Sequence, residues 1–342
     1  MPSIIVLDKL SPDGLALLDA AGRLGISYEV KTGLSGEELK NVLASHDGAI
    51  CRSGVKITAD VLAGNHRLRA IVRAGVGTDN IDKQAATRQG IVVMNTPAGN
   101  TVSTAEHAFT LLLALSRNVA PADASLREHR WDRSKYMGVQ LAGKTLGIVG
   151  MGRIGQAVAS RARAFDMRVV VYDPFLAAER AGELGVELFG SVREMLPELD
   201  YLTVHTPLTD DTRHLIGKEE LSLLKPGVRL INCARGGIYD EEALLEGLES
   251  GVLAGAALDV FETEPCTESP LFGRPDVLVT PHLGASTEEA QSQVAIEGVN
   301  LLTDFLRTGT IRHSVNSSPI DPADLEGLRG FLDLGWRLGI LL

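Results

Sequence analysis

The sequence is poor in cysteine and has no long apolar run. Its three cysteines, Cys51, Cys233 and Cys266, form neither a CxxC motif nor a cysteine–histidine spacing. An odd number of such cysteines argues against a disulfide framework and a metal site and indicates a reducing compartment. No apolar run approaches the ~20 residues that a membrane-spanning helix needs, and the amino-terminal segment lacks the basic and apolar regions of a signal peptide. We therefore expect no metal, no membrane partner and a cytoplasmic location.

The sequence also lacks an excess of positive charge. Its 33 lysines and arginines are outnumbered by 44 aspartates and glutamates, which gives a formal net charge of −11. This balance argues against nucleic acid as a partner, so an anionic ligand must meet a local cluster of basic residues. The length of 342 residues, 44% of them hydrophobic, is enough for two domains of ordinary size.

Short β-branched runs alternate with helical patterns in two successive parts of the chain. Runs such as "GAIC" and "GIVVMN" lie in the first part, and runs such as "KTLGIVG" and "VRLINCA" in the second. This alternation predicts an α/β fold with two doubly wound parallel sheets. A helical stretch between the two parts, over residues 101–129, is expected to break at Pro121.

A glycine motif of the nucleotide-binding type lies near residue 150, far from the start of the chain, which indicates that the second domain is inserted into the first. We predict a flavodoxin-like substrate-binding domain over 1–98 and 286–315, which encloses a Rossmann NAD-binding domain over 99–285. The tail over 316–342 has apolar residues at helical spacing and ends without a capping residue. It is predicted to begin a truncated carboxy-terminal extension, with a docked terminal helix as the alternative.

The stretch "GIVGMGRIGQAV" contains Gly150, Gly152 and Gly155 in a GxGxxG motif, after an apolar strand and at the start of a helix. The first glycine permits a tight turn, the second lets the backbone approach a pyrophosphate, and the third allows close packing of helix and strand. Asp173 ends the next strand, where a carboxylate accepts hydrogen bonds from ribose hydroxyls and repels a 2′-phosphate. The pattern favours NAD over NADP, and the alternative is a glycine turn with an unrelated capping aspartate.

Ligands of open parallel sheets bind beyond the carboxyl ends of the strands. In the second domain these ends carry Asp173, His205, Thr206, Cys233, Ala234, Arg235, Asp259 and His282, most of which are polar. In the first domain they carry Arg52, Ser53, the "RAGVG" turn at 73–77 and the segment from Asn95 to Asn100. If the two edges face each other across a cleft, Arg52 and the amides of Gly75, Val76 and Gly77 form an anion site opposite the cofactor.

Three residues at or near these strand ends suggest acid–base chemistry on a carboxylate substrate. His282 follows "VLVTP", and Glu264 lies 18 positions earlier in "DVFETEP". A carboxylate in contact with an imidazole fixes its orientation and favours its protonated form. Arg235 has the geometry to bind a substrate carboxylate with two hydrogen bonds. Taken singly, His282 is also explained as a structural hydrogen-bonding residue and Glu264 as a turn residue, and we assign neither His205 nor the Cys233 thiol to the chemistry.

With these residues in place, the chain resembles the D-2-hydroxyacid dehydrogenase family. The matching stretches include "RAGVGTDNID", "GKTLGIVGMGRIG", "INCARGGIYDEEAL", "GAALDVFETEP" and "PHLGASTEEAQ", and they extend from residue 51 to about 295. The resemblance implies that His282 is the acid/base, that Glu264 is its partner and that Arg235 binds the substrate's carboxylate and carbonyl. It also supports the inserted-domain topology and a homodimer formed through the cofactor domains.

The resemblance extends the set of site residues. The expected cofactor-binding residues are Val76, Gly150, Gly152, Arg153, Ile154, Gly155, Asp173, Thr206, Pro207, Cys233, Ala234, Asp259, Gly284 and Ala285, with Arg153 and Ile154 at the pyrophosphate and Asp259 near the nicotinamide carboxamide. The expected substrate-binding residues are Arg52, Ser53, Gly75, Val76, Gly77, Asn100, Arg235, His282 and Gln291.

The reaction that the resemblance implies is NAD-dependent oxidation of 3-phospho-D-glycerate to 3-phosphohydroxypyruvate, the first step of L-serine biosynthesis. The preference for a phosphorylated acid depends on Arg52 and the amides of 75–77. One alternative is a glyoxylate/hydroxypyruvate reductase or another D-2-hydroxyacid dehydrogenase, which would use the same three residues. A second alternative is a corepressor-like protein that senses NAD and acts by recruiting partners.

Overall fold

The computed structural model describes residues 1–317 and, beyond them, Leu334. The chain divides into two compact units: Met1–Asn100 with the segment that begins at Thr287, and Thr101–Ser286. The second unit is therefore inserted into the first. Of the tail predicted over 316–342, the structure describes residues 316, 317 and Leu334, and the rest of that prediction lies outside the described residues.

The first unit is built on a five-stranded parallel sheet with the strand order β2-β1-β3-β4-β5. This is the order of flavodoxin-like doubly wound folds. Its strands are β1 (Ser3–Val6), β2 (Ser27–Val30), β3 (Gly48–Cys51), β4 (Ala70–Arg73) and β5 (Val92–Asn95). The helices between them are α1 (Pro12–Gly22), α2 (Gly36–Ala44), α3 (Ala59–Leu62) and α4 (Lys83–Arg88). The central strand β3 is buried along its whole length, which explains why it reads as a continuous apolar run.

The second unit contains a seven-stranded parallel sheet in the order β12-β11-β10-β9-β6-β7-β8. Its helices are α5 (Thr101–Ser116), α6 (Val119–Arg127), α7 (Arg153–Ala164), α8 (Ala178–Leu184), α9 (Val192–Met195), α10 (Lys218–Leu221) and α11 (Glu241–Glu249). Its strands are β6 (Thr145–Val149), β7 (Arg168–Tyr172), β8 (Glu187–Leu188), β9 (Tyr201–Val204), β10 (Val228–Asn232), β11 (Leu253–Leu258) and β12 (Val277–Val279). Short 3₁₀ turns cover Arg133–Tyr136 and Leu196–Glu198. The order reverses at β6, the strand before the glycine motif, as in Rossmann folds, so the predicted fold class is confirmed.

The helix α12 (Glu288–Thr308) returns the chain to the first unit. The hydroxyl of Thr287 caps its start by accepting a hydrogen bond from the Ala290 amide at 3.2 Å. Its buried face, which includes Val299 and Leu302, packs into the same core as Ile4 of β1.

The helix breaks a few residues before Pro121, so the predicted position of the break was wrong. Helix α5 ends at Ser116, and Asn118 adopts a left-handed conformation with φ 52°. Pro121 lies in the first turn of α6, where a missing amide hydrogen costs the helix nothing. In the part of the chain that the structure describes, no helix is both long and apolar enough to cross a membrane.

Candidate active site

The turn after β6 depends on glycine at two positions. Gly150 has φ 92°, and an ideal Cβ on it would lie 2.7 Å from the carbonyl oxygen of His205. A Cβ on Gly155 would lie 2.1 Å from the carbonyl oxygen of Gly150, so α7 packs directly on the turn. Neither position has room for a side chain.

The space around Gly152 is open, in contrast to that around the other two glycines. No heavy atom lies within 4 Å of an ideal Cβ on Gly152, which is the N-cap of the 12-residue helix α7. The start of a helix carries unpaired amides and a partial positive charge, which suit a pyrophosphate. Arg153 and Ile154 are the first two residues of α7.

Asp173 follows β7 at the same edge of the sheet and is held by two backbone amides. Its Oδ2 accepts a hydrogen bond from the Met151 amide at 2.7 Å, and its Oδ1 accepts one from the Phe175 amide at 2.8 Å. Each carboxylate oxygen keeps a further lone pair for a ribose hydroxyl. The buried Oγ1 of Thr206, which follows β9, has no hydrogen-bond partner among the described residues. An open glycine N-cap, a fixed carboxylate and an unpartnered hydroxyl together fit a dinucleotide.

His205, which is half-buried, follows β9, and Cys233, which is buried, follows β10. The imidazole of His205 lies 3.1 Å from the Thr203 hydroxyl, and burial lowers its pKa to about 4, so it is neutral at neutral pH. Burial also raises the pKa of the Cys233 thiol well above its usual range. A buried thiol of this kind is a packing residue and a poor nucleophile.

His282 and Glu264 meet in the second unit, after strands β12 and β11. The Nδ1 of His282 lies 2.7 Å from Oε2 of Glu264, and Oε1 of Glu264 accepts a hydrogen bond from the Phe261 amide at 3.1 Å. Burial raises the pKa of Glu264, but the hydrogen bond and charge of His282, the Phe261 amide and the charge of Arg235 lower it by more. The net effect is a lowered pKa, so that the Glu264 carboxyl is ionised at neutral pH.

Asp259 holds the loop on which His282 lies. Its fully buried carboxylate accepts hydrogen bonds from the Leu283 amide at 2.7 Å, the Gly284 amide at 2.8 Å and the Thr280 hydroxyl at 2.6 Å. Its backbone carbonyl accepts a further bond from the His282 amide at 2.8 Å. His282 itself has φ 54°, an uncommon conformation for this residue type, which these contacts maintain.

His107 of α5 completes the network around Asp259, and sequence reasoning missed it. Its Nε2 lies 3.2 Å from Oδ1 of Asp259 and 3.1 Å from the hydroxyl of Thr280. The side chains of His107, Cys233 and Asp259 place potential metal-ligand atoms within 4.8 Å of one another. Because Asp259 Oδ1 already accepts from Thr280 and Leu283, a hydrogen-bond network accounts for the group. The only signal in the sequence was a histidine inside the apolar helical stretch "TVSTAEHAF".

Arg235 lies on a turn that Asn232, the last residue of β10, organises. The Asn232 side chain accepts a hydrogen bond from the Ala234 amide at 2.9 Å and donates one to the Arg235 carbonyl at 2.8 Å. The guanidinium donates to the Ala234 carbonyl at 2.5 Å, and its charge contributes to the lowered pKa of Glu264. The second unit therefore brings Arg235, Glu264 and His282 to one edge of its sheet.

Most of the residues expected to bind substrate in the first unit follow β3, β4 or β5, and Gln291 lies on α12. The backbone amide of Arg52 donates a hydrogen bond to Asp8 Oδ2 at 2.6 Å. The buried Nε of the Arg52 side chain has no hydrogen-bond partner among residues 1–317. Gly75 has φ 146°, and an ideal Cβ on it would fall 1.5 Å from the guanidinium of Arg73, so a side chain there would displace that group. The Asn95 side chain donates to the Val76 carbonyl at 2.6 Å.

The remaining expected residues have varied environments. Gly77 is half-buried next to Val76, and Ser53 is exposed. Asn100 is buried with an Oδ1 that has no partner in the described part of the chain, and Gln291 lies half-buried on α12. In the second unit, Pro207 is exposed, Gly284 is buried against Asp259, and Ala285 is half-buried.

Comparison with known proteins identifies the family of the chain. Residues 109–284 match the family described as "D-isomer specific 2-hydroxyacid dehydrogenase, NAD binding domain". The expectation of NAD as the cofactor is therefore confirmed, and the matched residues lie within the second unit.

Similarity to individual proteins covers nearly the whole chain. A D-3-phosphoglycerate dehydrogenase of Methanocaldococcus jannaschii is 43% identical over 339 residues, which are 99% of this chain and 64% of that protein. The chain thus spans slightly less than two thirds of the length of this curated relative.

Two solved structures share the fold. The TT0316 protein of Thermus thermophilus is 36% identical, with a TM-score of 0.82, over 92% of this chain and 99% of that chain. A D-lactate dehydrogenase of Aquifex aeolicus, complexed with NAD and lactic acid, is 27% identical, with a TM-score of 0.80, over 92% of this chain and 99% of that one. By its family match, its relatives and its fold, the chain belongs to the D-isomer specific 2-hydroxyacid dehydrogenases.

Proposed function

We propose that the chain catalyses the NAD-dependent oxidation of 3-phospho-D-glycerate to 3-phosphohydroxypyruvate, the first step towards L-serine. The observation that carries the reaction class is the 2.7 Å contact between His282 and Glu264, on the sheet edge that also carries the glycine turn and Asp173. The name of the Methanocaldococcus jannaschii relative, which matches over 99% of the chain, supports this choice of substrate.

In the proposed reaction, Arg235 binds the substrate carboxylate with its planar guanidinium. Because Nδ1 of His282 faces Glu264, Nε2 is the nitrogen that takes the proton from the C2 hydroxyl. The ionised Glu264 stabilises the imidazolium that results. Bound NAD, which Asp173 and the turn at Gly150 and Gly152 would hold, would supply the hydride acceptor that allows C2 to become a carbonyl. In the reverse direction, His282 returns the same proton to the oxygen.

The phosphate group is assigned to the first unit, over the predicted segments 1–98 and 286–315. Arg52 supplies a positive charge there, and its buried Nε has no partner among the described residues. Gly75, Val76 and Gly77 supply backbone amides of the kind that bind anions. A phosphorylated acid with an overall negative charge would otherwise be repelled by a chain of net charge −11.

A substrate panel tests the proposed function. NADH formation is measured with 3-phospho-D-glycerate, D-lactate, D-glycerate and glycolate, and the His282→Ala variant is the matched control. The proposal expects the highest kcat/KM with 3-phospho-D-glycerate. A preference for an unphosphorylated acid would support the reductase or D-lactate-type alternative, whose fold the Aquifex aeolicus structure shares. NAD binding without turnover of any 2-hydroxy acid would support the corepressor-like alternative.

We further propose that two copies associate through the cofactor domains. Large apolar side chains are exposed on α6 and in the segment that follows it, namely Val119, Leu126, Trp131 and Met137. Exposed large apolar side chains that fall within one short stretch of the chain favour a surface that a partner covers. Light scattering of the wild type beside a Trp131→Glu variant tests this, because a dimer at this surface should dissociate in the variant.

The proposed location is the cytoplasm. The three cysteines all lie within residues 1–317, and the structure shows them as free thiols. Free thiols of this kind are typical of a reducing compartment.

A further inference from the structure

The loops that carry Arg235 and Glu264 touch through their backbones. An ideal Cβ on Gly236 would lie 1.8 Å from the carbonyl oxygen of Phe261, so no side chain fits at this position. The residue after Arg235 is therefore pressed against the segment that leads to Glu264. A small shift of either loop would change the position of its functional side chain.

Two glutamates join the same loops by reciprocal hydrogen bonds. The Glu262 amide donates to Oε1 of Glu241 at 2.7 Å, and the Glu241 amide donates to Oε1 of Glu262 at 3.3 Å. Each carboxylate thus binds the backbone of the other residue, as in the capping box of a helix, although the two residues are 21 positions apart. Glu241 is the first residue of α11, which follows the loop of Arg235.

Consecutive amides connect this pair to the acid–base pair. The Phe261 amide donates to Oε1 of Glu264, and the next amide, that of Glu262, donates to Oε1 of Glu241. The other oxygen of Glu264 contacts His282. Movement of the peptide between Phe261 and Glu262 would therefore displace Glu264 and, through it, His282.

The pair persists although it places like charges together. Burial raises the pKa of Glu241, the hydrogen bond from the Glu262 amide lowers it, and the charges of Glu262 and Asp240 raise it further; the net effect is a raised pKa. His214 also contacts both loops, because its Nε2 lies 3.3 Å from Oε1 of Glu262 and its amide donates to the Gly237 carbonyl at 2.8 Å. Glutamates on a solvated surface are hydrated and do not bind each other's backbone amides, so the reciprocal bonds of Glu241 and Glu262 indicate a fixed contact.

We propose that Glu241 and Glu262 are positioning residues that fix Arg235 relative to the Glu264–His282 pair. This inference depends on the proposed function, because it assigns the pair to the alignment of that reaction. Neither glutamate touches the reacting atoms in this proposal. They act through the two loops, and small misplacements of catalytic groups are costly to the rate.

The test compares Glu241→Ala, which removes the acceptor, with Glu241→Gln, which keeps an acceptor oxygen without the charge. The control is Glu242→Ala, since Glu242 is the exposed neighbour on the same helical turn and its side chain takes no part in the pair. We expect Glu241→Ala to lower kcat/KM by about tenfold or more, through a higher KM for the hydroxy acid together with a lower kcat. Glu241→Gln should recover most of this loss, Glu242→Ala should behave as wild type, and the Kd for NAD should stay the same in all three.

Wild-type kcat and KM in Glu241→Ala, measured below its melting temperature, would overturn the proposal, because a merely structural contact would change only that temperature. Hydrogen exchange of the peptide over 259–264 gives a second readout that needs no turnover. Faster exchange in Glu241→Ala, but not in Glu241→Gln or Glu242→Ala, would support the positioning role of Glu241 and Glu262. This result would stand even if the wild type oxidised no 2-hydroxy acid, in which case the proposed function alone would have failed. Exchange rates equal to those of the wild type in all three variants would overturn this positioning role.

Discussion

Glu264 and His282 are 18 residues apart in the chain, yet Nδ1 of His282 lies 2.7 Å from Oε2 of Glu264. An ionised carboxylate only accepts hydrogen bonds, so it keeps a hydrogen on Nδ1. The lone pair of the neutral ring is then on Nε2. This relationship determines which ring nitrogen takes part in the proposed reaction.

Replacement of His282 by alanine should lower kcat by the ~10²–10⁴-fold typical of a lost general acid/base. The Kd for NAD should not change, because the glycine turn and Asp173 do not depend on this imidazole. Steady-state kinetics and NADH fluorescence titration measure the two quantities. Unchanged turnover in a folded variant would remove His282 from the mechanism.

Glu264→Gln keeps an oxygen that can face Nδ1 of His282 but loses the negative charge. Charge-assisted hydrogen bonds are roughly twice as strong as neutral ones, so kcat should fall by about tenfold at neutral pH. The pKa of Glu264 is lowered, so its charge persists until the pH falls below the ordinary glutamate range. The ratio of wild-type to variant kcat should therefore stay constant down to that range and narrow below it. A ratio near one at pH 7 would contradict the role of the charge.

Arg235→Lys tests whether the guanidinium is needed for its shape or for its charge. A lysine cannot reproduce two parallel hydrogen bonds to a carboxylate. We expect the KM for the hydroxy acid to rise by about tenfold or more while the Kd for NAD is kept. The exposed Arg180, whose guanidinium pairs with Glu183, offers a matched control as Arg180→Lys. Equal KM values in the two variants would show that charge alone is sufficient.

The sequence was most informative where a backbone constraint or a strand end determines the residue. The glycines at 150 and 155 were predicted because a turn and a close packing contact leave no room for a side chain, and the structure shows both constraints. The parallel strands were predicted because strands buried on both faces read as apolar runs. Strand order then brings Arg235, Glu264 and His282 to one edge, which the alternating pattern already implied.

Contacts between distant segments could not be predicted in this way. His107 appeared as one polar residue in an apolar helix, and only the fold shows that it meets Asp259, 152 positions later. The reciprocal bonds of Glu241 and Glu262 were missed for the same reason, because acidic residues in the first turn of a helix are normally explained by the helix dipole. Pro121 was assigned to a helical break, although the backbone turns earlier, at Asn118.

Asp173→Ala should weaken discrimination between NAD and NADP. The carboxylate is fixed by the amides of Met151 and Phe175, so its charge has a defined position next to the glycine turn. Its removal takes away acceptors for the ribose hydroxyls and the repulsion of a 2′-phosphate. We expect kcat/KM with NAD to fall by about tenfold and the ratio of NAD to NADP efficiency to fall further. An unchanged ratio would show that another residue sets the preference.

Asp259→Asn should destabilise the protein in a pH-dependent way. Burial raises the pKa of Asp259, but hydrogen bonds from His107, Thr280 and the Leu283 amide lower it by more, and the net effect is a lowered pKa. An asparagine would place an NH₂ group against donors, which costs about 1–3 kcal/mol. Since a lowered carboxyl pKa stabilises the folded state above the unfolded value of about 3.9, the wild-type advantage should be complete at pH 7 and shrink as the pH falls below 4.

The midpoint of urea unfolding, measured over a pH series for wild type and Asp259→Asn, checks this expectation. Asp210→Asn is the matched control, because it removes the same charge from an exposed position. The contrary outcome is that the unfolding midpoints of wild type and Asp259→Asn differ by the same amount down to the lowest pH at which both remain folded. That result would mean that the contacts of Asp259 do not depend on its ionisation. Because the same contacts hold the loop of His282, the variant should also lose kcat at pH 7, where the destabilised protein is still folded.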